Sequence, residues 1–118
     1  MEKWIEDLIG IPYVDYGNTP EEGFHCCGLV RYVLNRAFKT ELPSDPLLWR
    51  KLFRDLPWPC PLQNYDVVMM KGPNDAHIGT VIGTDEVLHA WKPAGGVILM
   101  RLERLAPLIE AAGRFRAQ

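Results

Sequence analysis

The sequence has no apolar run approaching the roughly 20 residues that span a bilayer, so no membrane-inserted segment is expected. It has no basic excess either: 13 Lys+Arg stand against 15 Asp+Glu, a net charge of -2. That balance argues against an electrostatically driven nucleic-acid binder. Repeats, low-complexity tracts and linker-like stretches are missing, so residues 1–118 read as one domain. The opening Met-Glu-Lys-Trp-Ile-Glu-Asp-Leu-Ile-Gly lacks the basic start and long apolar stretch of a signal peptide, so export through a leader is not expected. Cysteine is scarce. Cys26, Cys27 and Cys60 are an odd number and too few for a disulfide framework. Adjacent cysteines rarely bridge, and the C-x-x-C element common in zinc sites is absent. At least one thiol should therefore be free.

What is present divides by period. Trp4, Ile5, Leu8 and Ile9 mark a short amphipathic helix over Glu2–Ile9, ended by Gly10. Ile11–Glu22, with two prolines, Gly17 and Asn18, reads as a loop. Leu29, Val30, Val33, Leu34, Ala37 and Phe38 recur at helical spacing and predict a helix over Cys26–Phe38. Ser44 and Asp45 can cap a further helix that starts at Pro46, carries Leu48, Trp49, Leu52 and Phe53, and stops before Pro57. The second half is β-rich, with short runs at Asp66–Met70, His77–Ile82, Val87–Trp91 and Val97–Arg101. Their close spacing predicts an antiparallel meander. A helix over Glu103–Ala112 and a last strand over Arg114–Arg116 complete an α+β fold, helices packed on an antiparallel sheet.

The chemistry centres on Cys26, where a loop meets a helix N-terminus. Free backbone N–H groups and the helix field there stabilise a thiolate and activate it as a nucleophile. The competing reading is that both cysteines are small apolar packing residues, and helical facing alone does not choose between Cys26 and Cys27. The three-residue connection Gly83-Thr84-Asp85 keeps an even register, which makes His77 and His89 diagonal neighbours on one face. One can serve a thiol as general base while the other orients it. Two ordinary histidines bonded to carbonyls are the plain alternative; three histidines gathered near the cysteines weigh against it. A metal set of His25, Cys26, His77 and His89 ranks third, because the ligand spacing matches no known pattern. No metal or organic cofactor is expected. Tyr13, Tyr16 and Trp91 can line a groove, although aromatic residues are more often core, and Arg101, Arg104, Arg114 and Arg116 read as a solvated basic edge, with attraction of an anionic polymer as the alternative.

The run Pro12-Tyr13, Gly17, then Glu22-Gly23-Phe24-His25-Cys26-Cys27-Gly28-Leu29-Val30 resembles the D-C-x-G-L-V signature of the NlpC/P60 family. Leu42-Pro43, the strand Asp66–Met70, His77-Ile78-Gly79, His89-Ala90 and Gly95-Gly96-Val97 follow in the family's order. The resemblance runs from about Ile9 to Arg116. It implies a papain-like cysteine peptidase that cuts peptidoglycan stem peptides, with Cys26 as nucleophile, His77 as base and His89 orienting it. Two departures bear on substrate preference. His25 stands where the family usually has an Asp that helps recognise a substrate amino group, and Cys27 replaces a residue, commonly Ser or Trp, beside that pocket. Tyr13, His25, Cys27 and Trp91 are thus the expected substrate-binding residues. Gly17-Asn18-Thr19-Pro20-Glu21-Glu22-Gly23-Phe24 is similar to the phage tail-assembly and gene-transfer-agent branch. This implies a virion tail component, assembled in the host cytoplasm beside tail partner proteins. A structural tail protein acting by binding, and an amidase or acyltransferase on another substrate, are the competing functions.

Overall fold

A computed structural model describes residues 1–72 and 76–116. Its centre is α2 (Cys26–Phe38), the only long helix among the described residues; α1 (Lys3–Glu6) is a single turn. The apolar period of α2 explains its docking. Leu29 and Val33 pack with Ile82, Leu88 and Ala90, while Val30 and Leu34 pack with Val67 and Ile78. Lys39 ends the helix in the left-handed region, φ 51°, and its N–H returns to the Asn35 carbonyl.

The described residues form eight strands. The two-residue strands β1 (Asn18–Thr19) and β2 (Gly23–Phe24) form a hairpin in front of α2. The main sheet contains β3 (Phe53–Leu56), β4 (Val67–Lys71), β5 (Ala76–Ile82), β6 (Glu86–Trp91), β7 (Gly96–Arg101) and β8 (Ile109–Phe115). Their order is β3-β8-β4-β5-β6-β7, antiparallel throughout. Period-two alternation turns Ile78, Ile82, Leu88 and Ala90 toward α2 and leaves Val81 and Val87 for a second cluster with Val68, Met70, Leu105 and Ile109. Sequence and structure agree on α+β, with α2 packed on an antiparallel sheet. No described helix is long and apolar enough to cross a membrane.

The segment before the β1–β2 hairpin is more ordered than a loop. Gly10 N–H donates to the Val97 carbonyl, Val97 N–H to Ile11, and Tyr13 N–H to Gly95, each at 2.9 Å. Residues 10–13 thereby strap the outer edge of β7 and carry Tyr13 toward the front of α2.

Four further expectations are corrected. Glu2–Ile9 shortens to Lys3–Glu6 followed by turns, since Gly10 leaves early to reach β7. The stretch from Pro46 is a 3-10 turn to Leu52 that leaves Leu47 and Leu48 exposed, and Phe53–Leu56 is β3, paired with β8. The helix over Glu103–Ala112 is only α3 (Leu102–Leu105) plus a 3-10 turn at Ala106–Leu108. Pro107 lacks the N–H an α-helix would need. Ile109 then enters β8, so the last strand spans Ile109–Phe115 rather than Arg114–Arg116, filling the space between β3 and β4.

Candidate active site

The site begins with the start of α2. His25 sits extended at the N-cap without a side-chain cap, which leaves the first-turn N–H groups beside Cys26 free of one. The His25 ring faces backward: Nδ1 donates to the Gly17 carbonyl at 2.8 Å, and His25 N–H donates to the same oxygen at 3.1 Å. Gly28 explains how closely the preceding turn approaches. A Cβ there would lie 2.1 Å from the Gly17 oxygen. The tight seat holds the N-terminus of α2 against the turn.

The sheet supplies the histidines. β5 and β6 pair with Ile82 opposite Glu86 and Thr80 opposite Leu88, which is the even register inferred from the three-residue connection. His77 Nε2 and His89 Nδ1 lie 2.7 Å apart, their rings in a T-shaped arrangement. His89 is 1% exposed. Burial first, and then the charge of His77, lowers its pKa to about 4, so it is neutral at ordinary pH. A neutral His89 accepts the His77 Nε2–H at Nδ1 and carries its own proton on Nε2. That Nε2 has no hydrogen-bond partner among the described residues.

Cys26, His77 and His89 share one cleft of about 1190 Å³. The Cys26 thiol is held well below its ordinary range. The largest influence is a hydrogen bond from the Cys27 thiol; hydrogen bonding and positive charge from His77 follow, with a smaller contribution from His25, all against the opposing effect of burial. Cys27 is pushed up in turn, because it donates that hydrogen bond and is itself half-buried. The two adjacent thiols therefore diverge, with Cys26 the thiolate.

Of the residues expected to bind substrate, Tyr13, His25 and Trp91 line the cleft, and Tyr16 joins them. Cys27 does not. It packs beside Val30 and Leu34 under α2, so it touches the cleft only through Cys26. The far wall, Met70, Lys71, Met100, Arg104, Leu105 and Leu108, is not expected from the sequence as cleft lining, because it combines the end of β4, Met100 of β7 and the α3 segment; Arg104 thus lines the cleft instead of an open edge. Among the described residues, Lys71, Lys92 and Arg104 give the lining three cations against one carboxylate, Asp15, which pairs with Lys92 at 3.7 Å. Arg114 leaves the expected solvated edge altogether. Its guanidinium grips both oxygens of buried Asp66 at 2.8 Å, and Asp66 Oδ2 also accepts the Gln63 N–H at 2.7 Å. Among the described residues, no group of three His, Cys, Asp or Glu side chains is arranged to hold a metal ion.

A thiolate at a helix N-terminus, faced by a histidine that a second side chain orients from the adjoining strand, is the arrangement of papain-like thiol chemistry. The NlpC/P60 family profile matches residues 10–105, and the chain belongs to that family. Gamma-DL-glutamyl hydrolase of Bacillus subtilis (strain 168) is 55% identical over 40 residues, 34% of this chain and 10% of that protein. The probable endopeptidase YafL of Escherichia coli (strain K12) is 44% identical over 39 residues, 33% of this chain and 16% of that one. The matched segments are a small part of either relative's length. Among solved structures, the NlpC/p60 domain of peptidoglycan hydrolase SagA superposes with TM-score 0.75 at 21% identity, covering 94% of this chain and 92% of that one. An NLP/P60 protein similar to lipoprotein from Staphylococcus aureus subsp. aureus Mu50 gives 0.74 at 19%, over 94% of this chain and 38% of that one. At such identities the likeness speaks for the fold.

Proposed function

We propose that this chain is a cysteine peptidase that cleaves peptidoglycan stem peptides, and that it works as part of a phage or prophage tail assembled in the host cytoplasm. The observation that carries the peptidase reading is the thiolate-biased Cys26 beside the His77–His89 pair in an open cleft. The Cys26 sulfur attacks the scissile amide carbonyl, and first-turn N–H groups of α2 receive the oxyanion. His77 gives its proton to the departing amine, leaving a thioester. It then takes a proton from water, whose oxygen attacks the thioester, releasing the acid and restoring the thiolate. His89 accepts the His77 Nε2–H throughout and keeps the ring aligned. Tyr13, His25 and Trp91 receive the substrate on the near wall. The tail assignment is supported by the Gly17–Phe24 run described above.

The test pairs chemistry with labelling. Purified chain incubated with peptidoglycan fragments should yield amide-cleaved stem peptides by mass spectrometry, and Cys26→Ser should abolish them, since an alcohol without a strong base is a far weaker nucleophile. Limited iodoacetamide near neutral pH should modify Cys26 well before Cys27 or Cys60. Labelling that begins at Cys27 would move the nucleophile by one residue; no fast-labelling cysteine together with product formation unchanged in Cys26→Ser would sink the peptidase assignment and favour a tail protein that acts by binding. Proteomics of particles released by the source strain tests the tail clause separately: absence of the chain from purified particles removes it without touching the peptidase reading.

A further inference from the structure

The turn Val14–Gly17 stands at the mouth of the cleft and holds a residue whose placement the fold does not require. Gly17 N–H donates to the Val14 carbonyl at 2.9 Å, which closes the turn. Tyr16, third in the turn, has φ 63°. Turns that need left-handed backbone at this position ordinarily use glycine or asparagine, because a Cβ is crowded there. The Tyr16 side chain returns nothing to the core: the residue is 85% exposed, and the aromatic ring paired with it, His25, lies 6.4 Å away between centroids. The left-handed tyrosine opposes folding, and its solvated ring contributes nothing to offset that.

The surroundings nonetheless hold that conformation firmly. Asn18 Nδ2 donates to the Tyr16 carbonyl at 2.9 Å. The Gly17 carbonyl is bound twice by His25, and a Cβ on Gly17 would lie 2.3 Å from the Gly23 oxygen. The ring is thus presented from a rigid turn at the rim that also carries Asp15, directly before His25 and Cys26 in the cleft wall.

We propose that Tyr16 is a specificity-determining residue whose ring packs on an uncharged face of the substrate's peptide arm on the His25 side of Cys26. This rests on the peptidase reading. The charge pattern selects an uncharged face: Asp15 and Lys92 pair with each other, and Tyr13, Trp91 and Pro93 present uncharged apolar surface beside them. The contact is made equally by bound substrate and transition state, so it acts on KM rather than kcat.

Three variants test it: Tyr16→Phe, which keeps the ring, Tyr16→Asn, which suits the left-handed backbone without it, and Tyr16→Gly. With a defined stem-peptide fragment, Asn and Gly should raise KM about five- to tenfold at little changed kcat, the size of one aromatic contact. Phe should stay within about twofold of the parent chain, and Gly should melt a few degrees higher because the strain is gone. Phe failing as badly as Gly would assign the effect to the hydroxyl and overturn the ring contact. Parent-like KM in Asn and Gly, or a fall in kcat alone, would overturn it too. Calorimetry of the same fragment on the Cys26→Ser chain, with and without Tyr16→Asn, separates the two ideas. Binding weakened by Tyr16→Asn supports the proposal even if the parent chain cleaves nothing, an outcome that counts against the peptidase reading alone. Binding untouched by Tyr16→Asn overturns the proposal whatever the cleavage result.

Discussion

His89 can orient His77 only as a neutral imidazole, because a protonated ring would have no lone pair to offer. Burial secures that state. The folded chain holds the His89 pKa at about 4, against 6.5 for an ordinary histidine, so between these values the unfolded chain binds the additional proton. Stability therefore rises with pH across this window and is lost as the pH falls through it, by on the order of 3 kcal/mol from this one group. Urea unfolding from pH 4 to 7 should show that slope, and His89→Gln should flatten it; a slope that survives would point to another group. The same substitution probes turnover. Gln or Asn can accept the His77 N–H and should keep measurable kcat, whereas His89→Ala should lose on the order of a hundredfold or more. Equal activity in all three would place the orienting group elsewhere.

Between elements, two seats decide whether the site is assembled. Helix propensity alone favours Gly28→Ala by about 1 kcal/mol. The steric term opposes it and should win, because the added Cβ meets the Gly17 backbone oxygen rather than a yielding side chain. Gly28→Ala should therefore be destabilised by about 1–3 kcal/mol and label more slowly at Cys26, as measured by thermal melting and iodoacetamide kinetics. A gain in stability would show that the turn yields freely. The other seat ties β8 to the start of β4. Arg114→Ala leaves Asp66, 1% exposed, as an uncompensated buried carboxylate. The expected loss is about 3 kcal/mol, or roughly 10 °C in Tm, with a smaller loss for the charge-neutral pair Asp66→Asn plus Arg114→Met. A change of under 1 kcal/mol would return Arg114 to the solvated edge suggested by its sequence neighbours. Legibility divides along the same line. The bounds of α2 and the pairing of His77 with His89 follow from local period and loop length, so sequence reasoning reached them. Ile109–Phe115 contains Glu-Ala-Ala, good helix formers, and becomes a strand only because β3 and β4 flank it from distant parts of the chain. Phe53–Leu56 depends on β8 in the same way. The half-burial of Cys27 and the left-handed backbone of Tyr16 are likewise consequences of packing, with no periodic signature.

At the scale of the whole molecule, the cleft is a junction between the two halves of the chain. Tyr13 to Cys26, joined by Trp91 to Pro93, build one wall, and the end of β4, Met100 and Arg104 to Leu108 build the other. The strap over residues 10–13 joins these halves at the margin of the sheet, and it has a consequence for solution behaviour. Without it, β7 would present a row of free N–H and C=O groups, the arrangement that recruits another chain by strand addition. Removing residues 1–13 should increase self-association relative to the parent chain, visible as a rise in scattered light or sedimentation coefficient. A truncated chain that associates no more than the parent would show that the margin protects itself. Because the same strap delivers Tyr13 to the cleft, peeling it away in mild urea should abolish turnover and start association at one denaturant concentration, making catalytic output a direct gauge of colloidal safety.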